Sequence, residues 1–403
     1  MSKQKQTFLS KSLILVALSH AITDLSQGAL PILLPFLKNA FTLSYSQIGF
    51  IVMAQNVTSS VIQPVFGYIT DRLSLPWLVP AGLLLSGLGM AVTGLATSYS
   101  SLLMIVVITG LGIAAFHPQG AKMIHNASHI HNRGQSMAVF SLGGNLGQAC
   151  GSVFMVALLS LPGSTNNTLY FCLPAFLLAA LLWLNMPALS PKLPRQHSSN
   201  MKKSKANTPI PLAMISLLLF YIFFRSSIAA GLTTYIPLYF ADYLGGSHAY
   251  ASYLVSGYLL SGVVGTYVGG VLGDKFGRKT IILGSMLLTL PLLILLPHAS
   301  GYWTLPLVVA IGFVYIASFS STTVLAQEMM PGYEALGASL TIGFSIGLGG
   351  LAVTLLGYIA DHFGIPSVFS VISVIPIAAA ILAFFLPGRL FKPDNIAVSK
   401  QAG

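Results

Sequence analysis

Gly67-Tyr68-Ile69-Thr70-Asp71-Arg72 and Gly270-Val271-Leu272-Gly273-Asp274-Lys275 stand 203 residues apart, each at the end of a long apolar run. Gly134 pairs with Gly337, Gly144 with Gly347, and Gly147 with Gly350 at the same offset. Pro35 precedes Asp71 by 36 residues, and Pro237 precedes Asp274 by 37. So constant an offset marks an internal duplication. Two parallel copies of one set of apolar runs is the arrangement of transporters whose site lies at the midplane between repeats.

Runs of spanning length recur near 12–37, 46–70, 78–98, 101–121, 135–160, 169–187, 210–240, 249–273, 279–297, 302–325, 336–360 and 366–387. About 20 apolar residues cross a bilayer as a helix. Of the 403 residues, 55% are hydrophobic and 7% charged, with a mean hydropathy of +0.81. Soluble domains carry about 25% charged residues, so this chain must live in lipid. Its runs are continuous, where a β-barrel needs short alternating segments. The expectation is an all-α membrane protein of twelve transmembrane helices in two pseudo-symmetric six-helix bundles. Residues 1–187 form the first bundle, 188–209 a cytoplasmic linker, and 210–403 the second bundle with a short cytoplasmic tail. The linker holds Lys202-Lys203-Ser204-Lys205. The apolar run after Lys3, Lys5 and Lys11 is too long for a signal peptide and reads as a retained first helix. Cys150 and Cys172 fall within helices and suggest no disulfide framework.

With the N-terminus inside, every Lys and Arg except Lys38 and Arg225 falls on cytoplasmic segments. The positive-inside rule then puts both termini in the cytoplasm. The net charge of +11 follows from that topology. It favours anionic lipid headgroups and not nucleic acid, which would need a basic soluble face.

The first run contains Leu18-Ser19-His20-Ala21-Ile22-Thr23-Asp24-Leu25-Ser26-Gln27-Gly28. Asp24 is the one carboxylate placed well inside a span. A charge there costs roughly 2.5–3.5 kcal/mol on insertion scales, so it marks a functional position. His20, Asp24 and Gln27 share a helix face at i, i+4 and i+7. Asp24 is the expected proton carrier, with His20 as a relay; a buried acid holding helices together is the plainer alternative. Arg225 is the intramembrane cation, at nearly the matching place in the second repeat, and suits capture of a phosphonate or carboxylate. A static Asp24–Arg225 ion pair is the alternative. Gln55, Ser59 and Gln63 form a stripe at four-residue spacing with Asn56 alongside, which reads as cavity lining. Asn145, Gln148, Tyr235 and Tyr253 are further pocket candidates. Gly143, Gly147 and Gly151 read as a packing seam. His117-Pro118 is expected to end the fourth helix at the cytoplasmic edge, where His117 is a gate candidate.

Gly270-x-x-x-Asp274-Lys275-Phe276-Gly277-Arg278-Lys279 resembles the loop signature of the major facilitator superfamily. Gly67, Asp71 and Arg72 belong to its degenerate first copy, where Leu73-Ser74-Leu75-Pro76 replaces the Gly-Arg-Lys ending. The resemblance implies that both loops latch the two bundles. A closer likeness rests on Ser19-His20 with Asp24, Phe116-His117-Pro118, Gly143-Gly144-Asn145-x-Gly147, Arg225 with Gly231-Leu232 and Ile236-Pro237-Leu238-Tyr239, and Gln327-Glu328-x-x-Pro331-Gly332. These resemble the fosmidomycin resistance branch, whose members are proton-driven inner-membrane exporters of a phosphonate antibiotic.

The expectation is a monomeric antiporter, moving a small and anionic compound outward against protons. A proton symporter or uniporter importing a nutrient, or a transporter-like sensor that moves nothing, are the rivals. No cofactor, resident metal or enzyme activity is expected. His125, His129 and His131 lack cysteine or carboxylate company for a metal site. Gly343-Phe344-Ser345-Ile346-Gly347 mimics a nucleophile elbow but follows no strand.

Overall fold

The computed structural model describes residues 11–73, 75–127, 133–189, 212–299, 301–330 and 334–388. Among the described residues, twelve helices are long and apolar enough to span a membrane. They are α1 (Lys11–Phe41), α2 (Tyr45–Thr70), α3 (Leu78–Leu95), α4 (Tyr99–Ile124), α5 (Val139–Leu159), α6 (Thr165–Leu184), α7 (Leu212–Tyr243), α8 (His248–Phe276), α9 (Arg278–His298), α10 (Thr304–Met329), α11 (Gly343–Phe363) and α12 (Pro366–Phe385). Each expected span is present, displaced by a few residues at its ends. Most of the linker expected at 188–209 lies outside the described residues; only its first two positions close a short helix, Met186–Leu189.

Local chemistry sets where the helices start, break and turn. Ser44 caps α2 by a capping box: its Oγ accepts from Gln47 N at 3.1 Å, and Gln47 Oε1 accepts from Ser44 N at 2.9 Å. The span then breaks into Tyr45–Ser60 and Gln63–Arg72, because Pro64 can neither donate to the preceding turn nor leave its predecessor freely helical. In α7 a regular helix runs to Pro237, and a wider π-type turn takes over at Leu238–Tyr243. Gly277 turns the chain from α8 to α9 at φ 95°, a conformation that favours glycine.

Without water to drive helices together, close backbone packing must do it. Gly143, Gly147 and Gly151 of α5 lie directly on the carbonyls of Ala17, Ala21 and Leu25 of α1, so that any Cβ there would overlap an oxygen. The four-residue glycine seam thus joins α1 to α5. A second seam, Gly265 and Gly269 on Phe313 and Ala317, joins α8 to α10. At Gly270 of the loop signature a Cβ would sit 3.1 Å from Ser320 Oγ, and the tightest contacts fall on its neighbours Gly269 and Gly273. Gly67 is also no contact point, since a Cβ would meet Pro118 at an ordinary 3.8 Å.

The first six spans meet the last six mainly on the face opposite Lys11. Asp361 at the end of α11 accepts from Tyr45 N (2.6 Å), Ser46 N (2.9 Å) and Ser46 Oγ (2.5 Å), capping α2 from across the molecule. Lys38 Nζ pairs with Asp242 Oδ2 at 3.1 Å, and the Phe36 and His248 rings lie 4.2 Å apart. Gly49 presses on Val353 and Thr354. Nearer the Lys11 face, the Gln63–Arg72 piece of α2 packs instead on α4.

Candidate functional site

Asp24 lies between two histidines. His20 Nε2 is 3.2 Å from Asp24 Oδ2, His117 Nε2 is 2.9 Å from Oδ1, and the two Nε2 atoms are 3.1 Å apart. All three side chains are mostly buried, with exposures of 10%, 14% and 18% for His20, Asp24 and His117. Helix α1 supplies the first two one turn apart, and α4 supplies the third. The α4 helix does not end at Pro118 as expected. It continues to Ala127, because neighbours in a membrane resatisfy the freed backbone groups. His117 is therefore corrected from the cytoplasmic edge to the centre of the site.

The hydrogen bonds fix where protons must be. Phe140 O lies 2.7 Å from His20 Nδ1, and a carbonyl only accepts, so Nδ1 carries hydrogen. The His20 ring stacks on Phe140 at 4.0 Å, which holds it in that orientation. Gln63 Nε2 reaches both Ser59 O (2.5 Å) and His117 Nδ1 (3.2 Å), one hydrogen to each. His117 Nδ1 then accepts, and its Nε2–H donates to Asp24. That leaves His20 Nε2 against Asp24 Oδ2. A neutral His20 would present a lone pair to a lone pair there. A proton between them would turn that contact into a hydrogen bond, whereas a neutral His20 Nε2 can accept only from His117 Nε2–H at 3.1 Å. Gly144 backs the cluster: a Cβ there would come within 2.5 Å of His20 Nε2 and 2.8 Å of Asp24 Oδ2.

Two histidines and a carboxylate are also a donor set for a divalent cation, and their ligand atoms lie within 4.8 Å of one another.

Arg225 stands apart from Asp24. It is 6% exposed, its Nε donates to Ser318 Oγ at 3.3 Å, and its guanidinium lies over the Tyr315 (5.3 Å) and Phe319 (5.1 Å) rings. The alternative of a static Asp24–Arg225 pair is therefore not what the structure contains. Among the other expected lining residues, Gln55 is buried with Nε2 unpartnered, Asn56 packs beside Gly350 of α11, Gln27 and Gln148 are half-buried, and Asn145 is exposed. Two candidates change character. Tyr235 donates its hydroxyl to Val353 O at 2.9 Å and ties α7 to α11, and Tyr253 is 51% exposed.

The loop signature places Arg278 between Asp274 and Glu328, the latter at 3.9 Å. Lys279 lies over Phe384 at 5.1 Å. All of these partners belong to the last six spans. The side chains of Asp71 and Arg72, and those of His125, His129 and His131, lie outside the described residues.

Sequence reasoning missed Phe140, whose contribution is a carbonyl and leaves no trace in residue type. It also missed Asp361, and Tyr221, which lies one helical turn before Arg225 and was open to an i, i+4 reading.

The sequence profile of the Major Facilitator Superfamily matches residues 16–339 and 218–401. The chain is 34% identical over 383 residues to the fosmidomycin resistance protein of Escherichia coli K12, covering 94% of this chain and 93% of that one. It is also 34% identical to an uncharacterized MFS-type transporter of Bacillus subtilis, with 93% and 92% covered. A bacterial homologue of the human lysosomal transporter Spinster, solved inward-facing and occupied, superimposes with a TM-score of 0.80 at 16% identity, over 94% of this chain and 98% of that one.

Proposed function

The chain belongs to the major facilitator superfamily of membrane transporters, and from that membership we propose that it is a proton-coupled antiporter exporting a small anionic compound such as fosmidomycin. Its fold and relatives are those of transporters and not of enzymes. The relative named for fosmidomycin resistance supports the substrate. The positive-inside pattern supports an inner-membrane location with both termini cytoplasmic. The Lys11 face is then cytoplasmic, and the contacts of Asp361 and Lys38 close the outer face. The protein works as a monomer.

One observation carries the coupling: the Phe140 carbonyl commits His20 to one tautomer, so a proton on its Nε2 turns the Asp24 contact from a lone-pair approach into a hydrogen bond. When that proton leaves, a lone pair faces a carboxylate in a low-dielectric site, where the repulsion is poorly screened. Relief requires His117 on α4 to shift relative to α1. Proton occupancy and the packing of the first six spans are coupled in this way. Asp24 carries the proton, His20 shares it, and His117 responds to its loss.

Fosmidomycin flux in proteoliposomes under an imposed pH gradient tests the reading. Wild type should move the compound uphill against protons, and Asp24→Asn should keep exchange but lose uphill drive. Flux in the wild type that ignores the gradient would overturn the coupling. Flux running with the protons would favour symport instead.

A further inference from the structure

Arg225 is a buried cation whose Nε meets one neutral hydroxyl. Every acidic side chain described in the structure is engaged elsewhere: Asp24 with the histidines, Asp242 with Lys38, Asp274 and Glu328 with Arg278, and Asp361 with the start of α2. The ring faces of Tyr315 and Phe319 offset part of the charge but supply no counter-ion. An Arg held this way without a carboxylate is the unoccupied half of an ion pair.

A second observation points the same way. The Tyr258 hydroxyl is buried with no hydrogen-bond partner, and the Tyr221 hydroxyl is buried with only the Ser318 and Thr322 hydroxyls near it, neither in a well-formed bond. Both side chains are almost wholly enclosed, and both lie within electrostatic reach of Arg225. Tyr221 is one turn before Arg225 on α7. Tyr258 of α8 stacks on Tyr315 at 6.3 Å, the same ring that carries the guanidinium. Tyr315 itself is occupied, donating to the Arg225 carbonyl. A buried hydroxyl left unpaired is costly, and the Tyr258 hydroxyl beside an unpaired cation, with the weakly met Tyr221 hydroxyl next to it, marks a place for a shared acceptor.

We infer that α7, α8 and α10 form an oxyanion site in which Arg225, Tyr221 and Tyr258 bind the phosphonate or phosphate group of the transported molecule. The donors number more than a carboxylate's two oxygens need. The guanidinium offers two Nη nitrogens and the tyrosines two hydroxyls, which suits a tetrahedral group with three free oxygens. This inference rests on the reading that the chain moves a small anionic compound, and it places the anion in the opposite half from the proton.

The test is binding by the purified full-length protein in nanodiscs, with no gradient and no transport required. Wild type should bind fosmidomycin. Arg225→Gln should lose binding by well over tenfold. Tyr221→Phe and Tyr258→Phe should each weaken it about tenfold, and Tyr258→Phe should leave the ligand-free melting temperature unchanged or higher, because it removes a hydroxyl that had no partner. Tyrosine variants that bind like wild type would overturn the inference, even if Arg225→Gln fails to fold. If wild type binds no fosmidomycin, the substrate reading falls, and the site is judged with methylphosphonate and inorganic phosphate as thermal stabilisers. Protection that depends on Tyr221 and exceeds that by acetate upholds the site. No protection, or equal protection by acetate, overturns it.

Discussion

Gly144 shows how much a single hydrogen atom can decide. Its missing side chain is what lets His20 and Asp24 meet, since a methyl group would intrude on both. Gly144→Ala should therefore leave a folded protein that still exchanges substrate but has lost at least tenfold of its pH-driven uphill flux, measured in proteoliposomes. His117→Ala acts differently. It leaves Asp24 Oδ1 and one hydrogen of Gln63 Nε2 without their partner, and an unmet buried polar group costs about 1–3 kcal/mol. The expected outcome is a melting temperature lower by several degrees together with lost coupling. The two outcomes separate geometry from satisfaction. The sequence pointed to Asp24 and His20 because both sit on one apolar helix, one turn apart, where polarity alone is informative. His117 is 93 residues away, and only packing brings it to Asp24.

At the scale of helices, small residues and carbonyls matter more than side-chain bulk. The α1–α5 seam puts backbone on backbone at three successive turns. Gly147→Val should abolish folded protein in the membrane fraction, because the Ala21 carbonyl cannot retreat; the cost exceeds the roughly 1–3 kcal/mol of ordinary overpacking. Tyr235→Phe offers the contrasting case. It removes one bond between α7 and α11, so stability should fall by about 1 kcal/mol with substrate affinity unchanged. The same exchange at Tyr258 should weaken binding without lowering stability. The spans were legible because hydropathy and length are local properties. The glycine seam was legible because its spacing matches the helical repeat. The path of α4 was not, since proline punctuates helices in water more strictly than in lipid.

Across the whole molecule, the contacts between the two sets of six helices are weighted to one face. Opening that face means breaking the Asp361 cap and the Lys38–Asp242 pair. A helix cap is worth about 1 kcal/mol, so Asp361→Ala should raise the population open on that face about fivefold. Distances between spin labels placed at the ends of α2 and α11 would read the shift directly. No feature of residue type announced this contact: Asp361 and Ser46 are 315 positions apart and look like ordinary loop-edge residues.

That contact is lopsided in its genetics. Two of its three hydrogen bonds come from the main chain at positions 45 and 46, and every amino acid except proline supplies the same N–H. The carboxylate comes from position 361 alone. Random mutagenesis should therefore find alleles that loosen this contact concentrated at position 361, while a small residue at position 46 forfeits only the Ser46 Oγ bond and keeps both main-chain donors.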